Sequence, residues 1–304
     1  LGGRDFGFSI SVAHDLSRDP AAAVKLAARR LVDAAHSQRA RSQVMLVLAD
    51  AFACDGEALF SALQHAVPPH WRIFGGTAGD DWRFQSTHVF AGREVLRDAA
   101  VLLGLYTDAP ASLVAHHGWR AAEHGRTMTV TQIEGCVLAR LDGAPAAEAY
   151  REELLRLGLM EPGDDLLPAI ATHKLGAHSS FGDQLRIRGP KALRDDGSIV
   201  LAGGLAVGTR VQVVSASPEQ LVESARTLSA RVLEPFDGSA VRGALVFDCA
   251  ARLQLLGDRY GEQVAALLGG RHFPMIGVAG YGEIAKYAGS LDGFHNATAV
   301  MAAW

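Results

Sequence analysis

Two glycine-rich segments that end in acidic residues are the parts of this sequence best suited to contact a ligand. One runs from Gly75 to Asp81 and the other from Gly280 to Glu283. Each follows a short apolar run that predicts a buried strand, and glycine lets backbone N–H groups approach an anion or a small polar molecule. Neither segment fits G-x-G-x-x-G or the Walker pattern, so a nucleotide site is disfavoured. A tight turn that needs glycine only for its conformation is the alternative, and both interpretations stay open.

The acidic residues at the ends of these segments suggest how charge would be used. If the two turns face one another, Asp80, Asp81 and Glu283 could receive an ammonium group. They could also hold Arg252 in a bidentate pair that orients it towards a carboxylate. Either arrangement suits an amino-acid-like ligand, and a salt-bridged interface is the alternative. The candidate ligand-binding residues are Gly75, Gly76, Thr77, Asp80, Asp81, Cys249, Arg252, Tyr281, Glu283 and Asn296.

Cys249 offers a second kind of chemistry. It lies three residues before Arg252, directly after a predicted strand, and a neighbouring cation or helix N-terminus lowers the pKa of a thiol. The local motif contains no histidine to act as a base, and buried cysteines are commonly inert packing. H-E-x-x-H and G-x-S-x-G motifs are absent as well. A thiol-dependent enzyme is therefore an alternative hypothesis, and we do not predict an enzyme.

The histidines give one further possibility. His295 lies in a glycine-flanked loop before the last strand, and His173 lies five residues before His178. A lone histidine in such a position is usually a hydrogen-bonded structural residue, although imidazole is also the commonest metal ligand. His295 is the first candidate for a metal-ligating role and His173 is the second.

The elements that position these residues repeat along the chain. Val47 to Asp50 predicts a strand ending in an acid, with Cys54 after it and then a helix, a second strand and a glycine-rich turn. Val246 to Cys249 begins the same series, which ends in a strand led by Thr298 as the first ends in one led by Thr87. The fold class predicted is therefore α/β, with two related units that arose by internal duplication. Their interface is the expected place for a ligand cleft.

A β-rich segment lies between the two units. Residues 185–188, 199–201 and 208–214 predict short strands joined by glycine turns, and Ser217 with Gln220 forms a capping box that opens a helix. We predict a division into residues 1–150 and 151–304, with the boundary lying between Tyr150 and Asp183.

Composition limits the function classes. With 49% hydrophobic and 20% charged residues in 304, the chain is long enough for two packed units. A formal net charge of −4 gives no basic surface for nucleic acid. The three widely spaced cysteines predict reduced thiols in a cytoplasmic protein. No apolar run approaches the roughly 18 residues that span a bilayer.

Five motifs in order carry a resemblance to a known family. The chain contains Cys249-Ala-Ala-Arg252, Tyr281-Gly-Glu-Ile284 and Phe294-His-Asn-Ala-Thr298. Before them come Ile73 to Asp81, and Gly118-Trp119 with Val130-Thr131, Glu134-Gly135 and Leu141-Asp-Gly143. Together they resemble the FIST family of bacterial sensory-input proteins over nearly the whole chain. Residues 1–150 would then be the FIST N-terminal domain and residues 151–304 the C-terminal domain.

The resemblance implies a bacterial sensor that binds a small molecule and signals to a protein partner. Some members of the family resemble haem-binding nitric oxide sensors that act on histidine kinases or cyclic-dinucleotide enzymes. For this chain it therefore implies haem b as a possible cofactor, with His295 or His173 as axial ligand. A histidine kinase or another signalling protein would be the partner. The identity of the ligand stays open.

Overall fold

The computed structural model describes residues 6–38, 40–178, 185–236, 240–287 and 292–304. Asp183, which ends the predicted boundary region, and the adjacent Gln184 therefore lie outside the described residues. The helices are α1 (Pro20–Gln38), α2 (Gly56–Ala66), α3 (Ala146–Arg156), α4 (Leu166–Thr172), α5 (Pro218–Leu233), α6 (Ala250–Leu256) and α7 (Tyr260–Leu268). The strands of the first unit and its hairpin are β1 (Phe6–His14), β2 (Ser42–Ala49), β3 (Arg72–Thr77), β4 (Val89–Ala91), β5 (Glu94–Leu96) and β6 (Ala99–Thr107). The middle strands are β7 (Ser112–His116), β8 (Arg120–Ala121), β9 (Met128–Glu134), β10 (Val137–Leu141), β11 (Ala144–Pro145), β12 (His173–His178), β13 (Leu185–Arg188), β14 (Pro190–Leu193), β15 (Ile199–Leu201) and β16 (Arg210–Ser215). The last strands are β17 (Ala244–Cys249), β18 (Met275–Gly280), β19 (Gly282–Lys286), β20 (Gly293–His295) and β21 (Ala299–Ala303).

The two α/β units have the same strand order. The first sheet runs β1-β6-β2-β3 before it continues into β19-β20, and the second runs β7-β21-β17-β18. Each unit contains one parallel pair of strands. Helix α2 connects β2 to β3 in the first unit, and helices α6 and α7 connect β17 to β18 in the second. The neighbouring strand is antiparallel in both, β6 beside β2 and β21 beside β17. The fold is therefore α/β with two related units, as the sequence predicts.

One element of the predicted repeat is assigned incorrectly. The strand equivalent to β21 is β6, whereas the segment after Thr87 forms the separate β4–β5 hairpin. Thr87 instead donates its hydroxyl to Asp50, 2.5 Å away. The chain also turns between β5 and β6, because Asp98 has a φ of 49° and donates its N–H to Asp50.

The two units pack sheet against sheet. Alternate residues of β2 and β6, such as Leu46 and Leu105, share one apolar cluster with Phe247 of β17 and Val300 of β21. The rings of Phe74 and Phe247 meet edge to face, with centroids 5.9 Å apart. Helices α1 and α2 cover the outer face of the first sheet, and α5 and α7 cover that of the second. These strands are buried on both faces, which is why they are almost continuously apolar in sequence.

The β-rich segment is an insertion between β7 and α5 of the second unit. It forms an antiparallel sheet in the order β13-β12-β16-β9-β10-β15-β14, with α3 and α4 packed on it. Strands on both sides of residue 150 belong to this one sheet. The capping box predicted at the start of α5 is present, since Ser217 Oγ accepts from Gln220 N and Gln220 Oε1 accepts from Ser217 N.

Strands β18 and β19 differ in their surroundings. We predicted that the strand ending at Ala279 is buried, and it does pair in parallel with β17, but it lies at the edge of its sheet. Ile276 and Val278 are therefore 68% and 49% exposed. The chain then crosses to the first sheet, where β19 pairs antiparallel with β3. In the part of the chain that the structure describes, no helix has the length and apolar character needed to cross a membrane.

Candidate functional site

A cavity of about 570 Å³ lies where the two units and the insertion meet. The first unit contributes the residues after β2 and the start of α2, including Cys54 and Asp55. The second contributes the start of α6 and the turn between β18 and β19, including Cys249 and Tyr281. The insertion adds α4, β12 and β14, including Lys174. Both parallel strand pairs thus end at the cavity, which is the position where α/β sheets usually bind ligands.

The pairing of β3 with β19 brings the two predicted glycine-rich segments side by side. Thr77 is opposite Gly282 and Gly76 is opposite Glu283. Thr77 and Tyr281 line the cavity, whereas Gly75 and Gly76 lie within β3. Glycine is required at Gly75, where φ is 149° and a Cβ atom would overlap the carbonyl oxygen of Val47. This glycine therefore serves close strand packing and not a ligand.

The loop after β3 forms an aromatic rim around Tyr281. Tyr281 stacks on Phe84 at 4.8 Å and contacts Trp82 and Phe52 at centroid distances of 6.0 and 6.1 Å. Phe52, Trp82, Phe84 and Tyr281 all line the cavity, and the first three are 40–42% exposed. Because these rings are accessible from solvent, they lie at the mouth of the cavity.

Asp80 holds this loop in place. Its carboxylate accepts from Tyr281 Oη at 2.5 Å and from the backbone N–H groups of Phe84, Gln85 and Ser86 at 2.7–3.0 Å. Partial desolvation opposes ionisation, but these hydrogen bonds outweigh it and hold the pKa of Asp80 below its usual range. Asp81 is exposed, has a φ of 55° and does not line the cavity. Asp80 is thus a structural part of the rim.

A buried polar cluster lies behind Cys249. Arg252 is fully buried and pairs with Asp248, with Nε 2.9 Å from Oδ1. It therefore does not pair with Asp80, Asp81 or Glu283, the partners considered from sequence, and it does not line the cavity. Glu283 is also fully buried, and its Oε2 accepts from Thr298 N at 3.3 Å. Burial, with the neighbouring charge of Asp248, raises the pKa of Glu283 well above its ordinary value.

Three thiols line the cavity, namely Cys54, Cys136 and Cys249. Burial raises the pKa of Cys54 to about 11 and that of Cys136 to about 12. Burial also raises the pKa of Cys249. A protonated thiol is a weak nucleophile. The raised pKa therefore disfavours Cys249 as a nucleophile.

The predicted histidines lie outside the cavity lining. His295 is 2% exposed in β20, opposite Glu283, and His173 Nδ1 lies 2.7 Å from Ser215 Oγ. Neither is among the described residues that line the cavity, although Asn296 is. Among the described residues there is also no group of three or more His, Cys, Asp or Glu side chains that could hold a metal ion. Neither histidine proposed as a haem axial ligand therefore faces the cavity.

Sequence reasoning did not select Asp55, Cys136 or Lys174. Asp55 caps α2 and accepts from Gly204 N at 3.2 Å, which joins the first unit to the insertion. Cys136 donates to Asp55 across 3.4 Å from the turn between β9 and β10. The sequence signal that could have identified Lys174 is its position directly before the apolar run that starts at Leu175. A charged side chain in that position would be buried together with the strand.

The fold and the cavity define a class of protein, the two-unit α/β proteins with a cavity at the junction of their units. Residues 1–144 match the FIST N domain and residues 146–286 match the FIST C domain, so this chain belongs to the FIST family. FIST domains are sensory rather than catalytic domains, which gives the protein a general sensory role. No curated protein matches the chain. The division into residues 1–150 and 151–304 stays a prediction.

Proposed function

We propose that this protein senses a small molecule that binds in the cavity and passes its occupancy to a signalling protein. One observation carries the proposal: the cavity wall combines residues of both units and of the insertion. A ligand that contacts all three parts binds one arrangement of them better than another, and this difference in affinity is what lets a ligand shift a conformational equilibrium. The partner suggested by the family resemblance is a histidine kinase or another signalling protein.

Thermal unfolding with a library of amino acids and related small molecules tests this function. A ligand that binds only the folded state, and is present at a concentration a hundred times its Kd, stabilises that state by about 2.7 kcal/mol. This stabilisation raises the melting temperature by several degrees. Ala171 lines the cavity, so Ala171→Trp should abolish the shift by filling it. The exposed Ala21 is the matched control, and Ala21→Trp should preserve the shift. A flat response across the library, or a shift that survives Ala171→Trp, would count against a ligand in this cavity.

The haem hypothesis has less support, because no histidine is among the described residues that line the cavity. An absorption spectrum after haem reconstitution tests it directly. A Soret band that disappears in His295→Ala or His173→Ala would restore that hypothesis, and the absence of any such band would remove it. Likewise, the thiol-enzyme hypothesis ends if any measured turnover is unchanged in Cys249→Ala.

A further inference from the structure

Three cationic side chains are buried in the described part of the chain, and two of them are neutralised within the protein. Arg252 is 0% exposed and pairs with Asp248, and Arg188 is 1% exposed and pairs with Glu57. Both guanidinium groups also donate to backbone carbonyl oxygens. A buried charge is tolerated when it is paired and hydrogen-bonded in this way. These two arginines are therefore structural.

Lys174 is the third buried cation and has no such partner. It is 5% exposed and lines the cavity at the start of β12. Nζ donates to the Ile170 carbonyl at 2.7 Å and lies 5.9 Å from the centroid of the Trp119 ring. No described carboxylate lies within 4.0 Å of Nζ. An ammonium group has three N–H donors, so two of them have no protein acceptor among the described residues.

The acids that line the cavity are already hydrogen-bonded and do not serve Lys174. Asp50 accepts from Thr87 Oγ1 at 2.5 Å and from Phe52 N at 3.0 Å. Asp55 accepts from Gly204 N and Cys136 Sγ. The titratable neighbour of Lys174 is Cys249, and burial raises the pKa of its thiol, which disfavours the thiolate. The cavity thus contains one buried positive charge that the described residues leave uncompensated.

Apolar and aromatic side chains form much of the rest of the cavity wall. Leu59, Ile170 and Phe294 line its interior, and the aromatic rim around Tyr281 lines its mouth. Apolar walls with few polar groups orient a ligand through those groups. A ligand with a single anionic group and an apolar body would match this distribution.

We propose that the ligand is a small organic carboxylate whose carboxylate group accepts hydrogen bonds from Lys174 and whose apolar body lies against the cavity wall. This inference rests on the function proposed above and adds the chemical class of the ligand. A carboxylate–ammonium pair out of water is a charge-assisted contact, and losing it lowers affinity roughly tenfold to a hundredfold. Lys174 is the residue that distinguishes the anion from a neutral molecule of the same shape.

Isothermal titration calorimetry with matched probes tests the proposal. The probes are phenylacetate and hexanoate, each compared with its neutral amide, phenylacetamide and hexanamide. The wild-type protein should bind at least one carboxylate ten or more times tighter than its amide, and Lys174→Met should lose this preference. Lys25 is exposed on α1 and is not part of the cavity lining, so Lys25→Met is the control and should keep the preference within about threefold, the usual effect of an exposed charge. If Lys174→Met does not fold, as judged by circular dichroism, Lys174→Gln replaces it.

Three results would overturn the proposal. They are equal affinity of the wild-type protein for the amides and the carboxylates, a preference that persists in Lys174→Met, and a lack of binding by all four probes. The first two results leave the cavity as a ligand site and remove only the anion at Lys174. A flat thermal response across the broader library, in contrast, would remove the sensory ligand itself.

Discussion

Replacing Lys174 with methionine should stabilise the ligand-free protein. Burial lowers the pKa of Lys174 from 10.5 to about 8, and each tenfold loss of proton affinity on folding corresponds to about 1.36 kcal/mol. Holding the ammonium in the fold at pH 7 therefore costs about 3 kcal/mol relative to the unfolded chain. Methionine has a similar length and no charge, but it loses the hydrogen bond to Ile170, which contributes about 1 kcal/mol. The expected net gain at pH 7 is about 2 kcal/mol.

The pH dependence of this gain identifies its cause. The folded-state pKa of Lys174 is lowered, so between pH 8 and pH 10.5 the unfolded chain binds more protons than the folded protein. The stability of the wild type consequently rises with pH through that window, and the advantage of Lys174→Met shrinks. From pH 7 to pH 10 the difference should fall by about 2–3 kcal/mol.

Urea denaturation of the wild type and Lys174→Met at pH 7 and pH 10 measures these differences, because the other titrating groups are common to both proteins. The exposed Lys191 provides the control, and Lys191→Met should change stability by less than about 0.5 kcal/mol at either pH. If Lys174→Met were less stable than the wild type at pH 7, with a difference that does not vary with pH, Lys174 would serve mainly to cap the C-terminus of α4. The reasoning about an uncompensated charge would then be refuted.

Three further predictions concern other parts of the site. Arg252→Ala leaves the carboxylate of Asp248 buried without its arginine partner, so urea denaturation should show a free energy of unfolding lower by about 3–5 kcal/mol. The control Arg226→Ala breaks an exposed pair and should lower it by less than about 1 kcal/mol. Equal losses in the two variants would contradict the effect of burial. Asp80→Ala removes the acceptor of three backbone N–H groups. Hydrogen exchange at those amides should therefore accelerate, with little change at the core strands. Unaltered protection would show that the loop keeps its conformation without the Asp80 carboxylate. Cys54 and Cys136 have raised pKa values, and the thiolate is the form that reacts with iodoacetamide. At pH 8, mass spectrometry should therefore show that both are modified about a hundredfold more slowly in the folded protein than in urea. A similar rate in both states would exclude protonated thiols.

The α/β fold was predictable because its signals are local. Strands buried on both faces leave continuous apolar runs, and the capping box at Ser217 marks the start of α5 within the sequence itself. Pairing between distant strands leaves no such mark. The position beside β2 is taken by β6 instead of the segment after Thr87, and β18 lies at an exposed edge although its composition is that of a buried strand.

The candidate site was predictable in part for the same reason. Thr77, Cys249 and Tyr281 line the cavity because they lie at or directly after the ends of parallel strands, and such ends are recognisable in a sequence. Lys174 comes from the insertion, whose place over the cavity depends on pairing between strands far apart in sequence. For Arg252 the position was predictable from the sequence but the role was not. An arginine near the end of a strand can bind a ligand or, as here, neutralise a buried acid.

The contact between Thr77 and Gly282 joins residues 205 positions apart. During synthesis, β3 therefore has no partner along one side until the ribosome has added all of the intervening chain. An apolar strand with free backbone N–H and C=O groups is a template for association with other chains, and such long-range pairing is slow. Nascent or prematurely terminated chains of this protein should consequently depend on chaperones more than their content of helices would suggest.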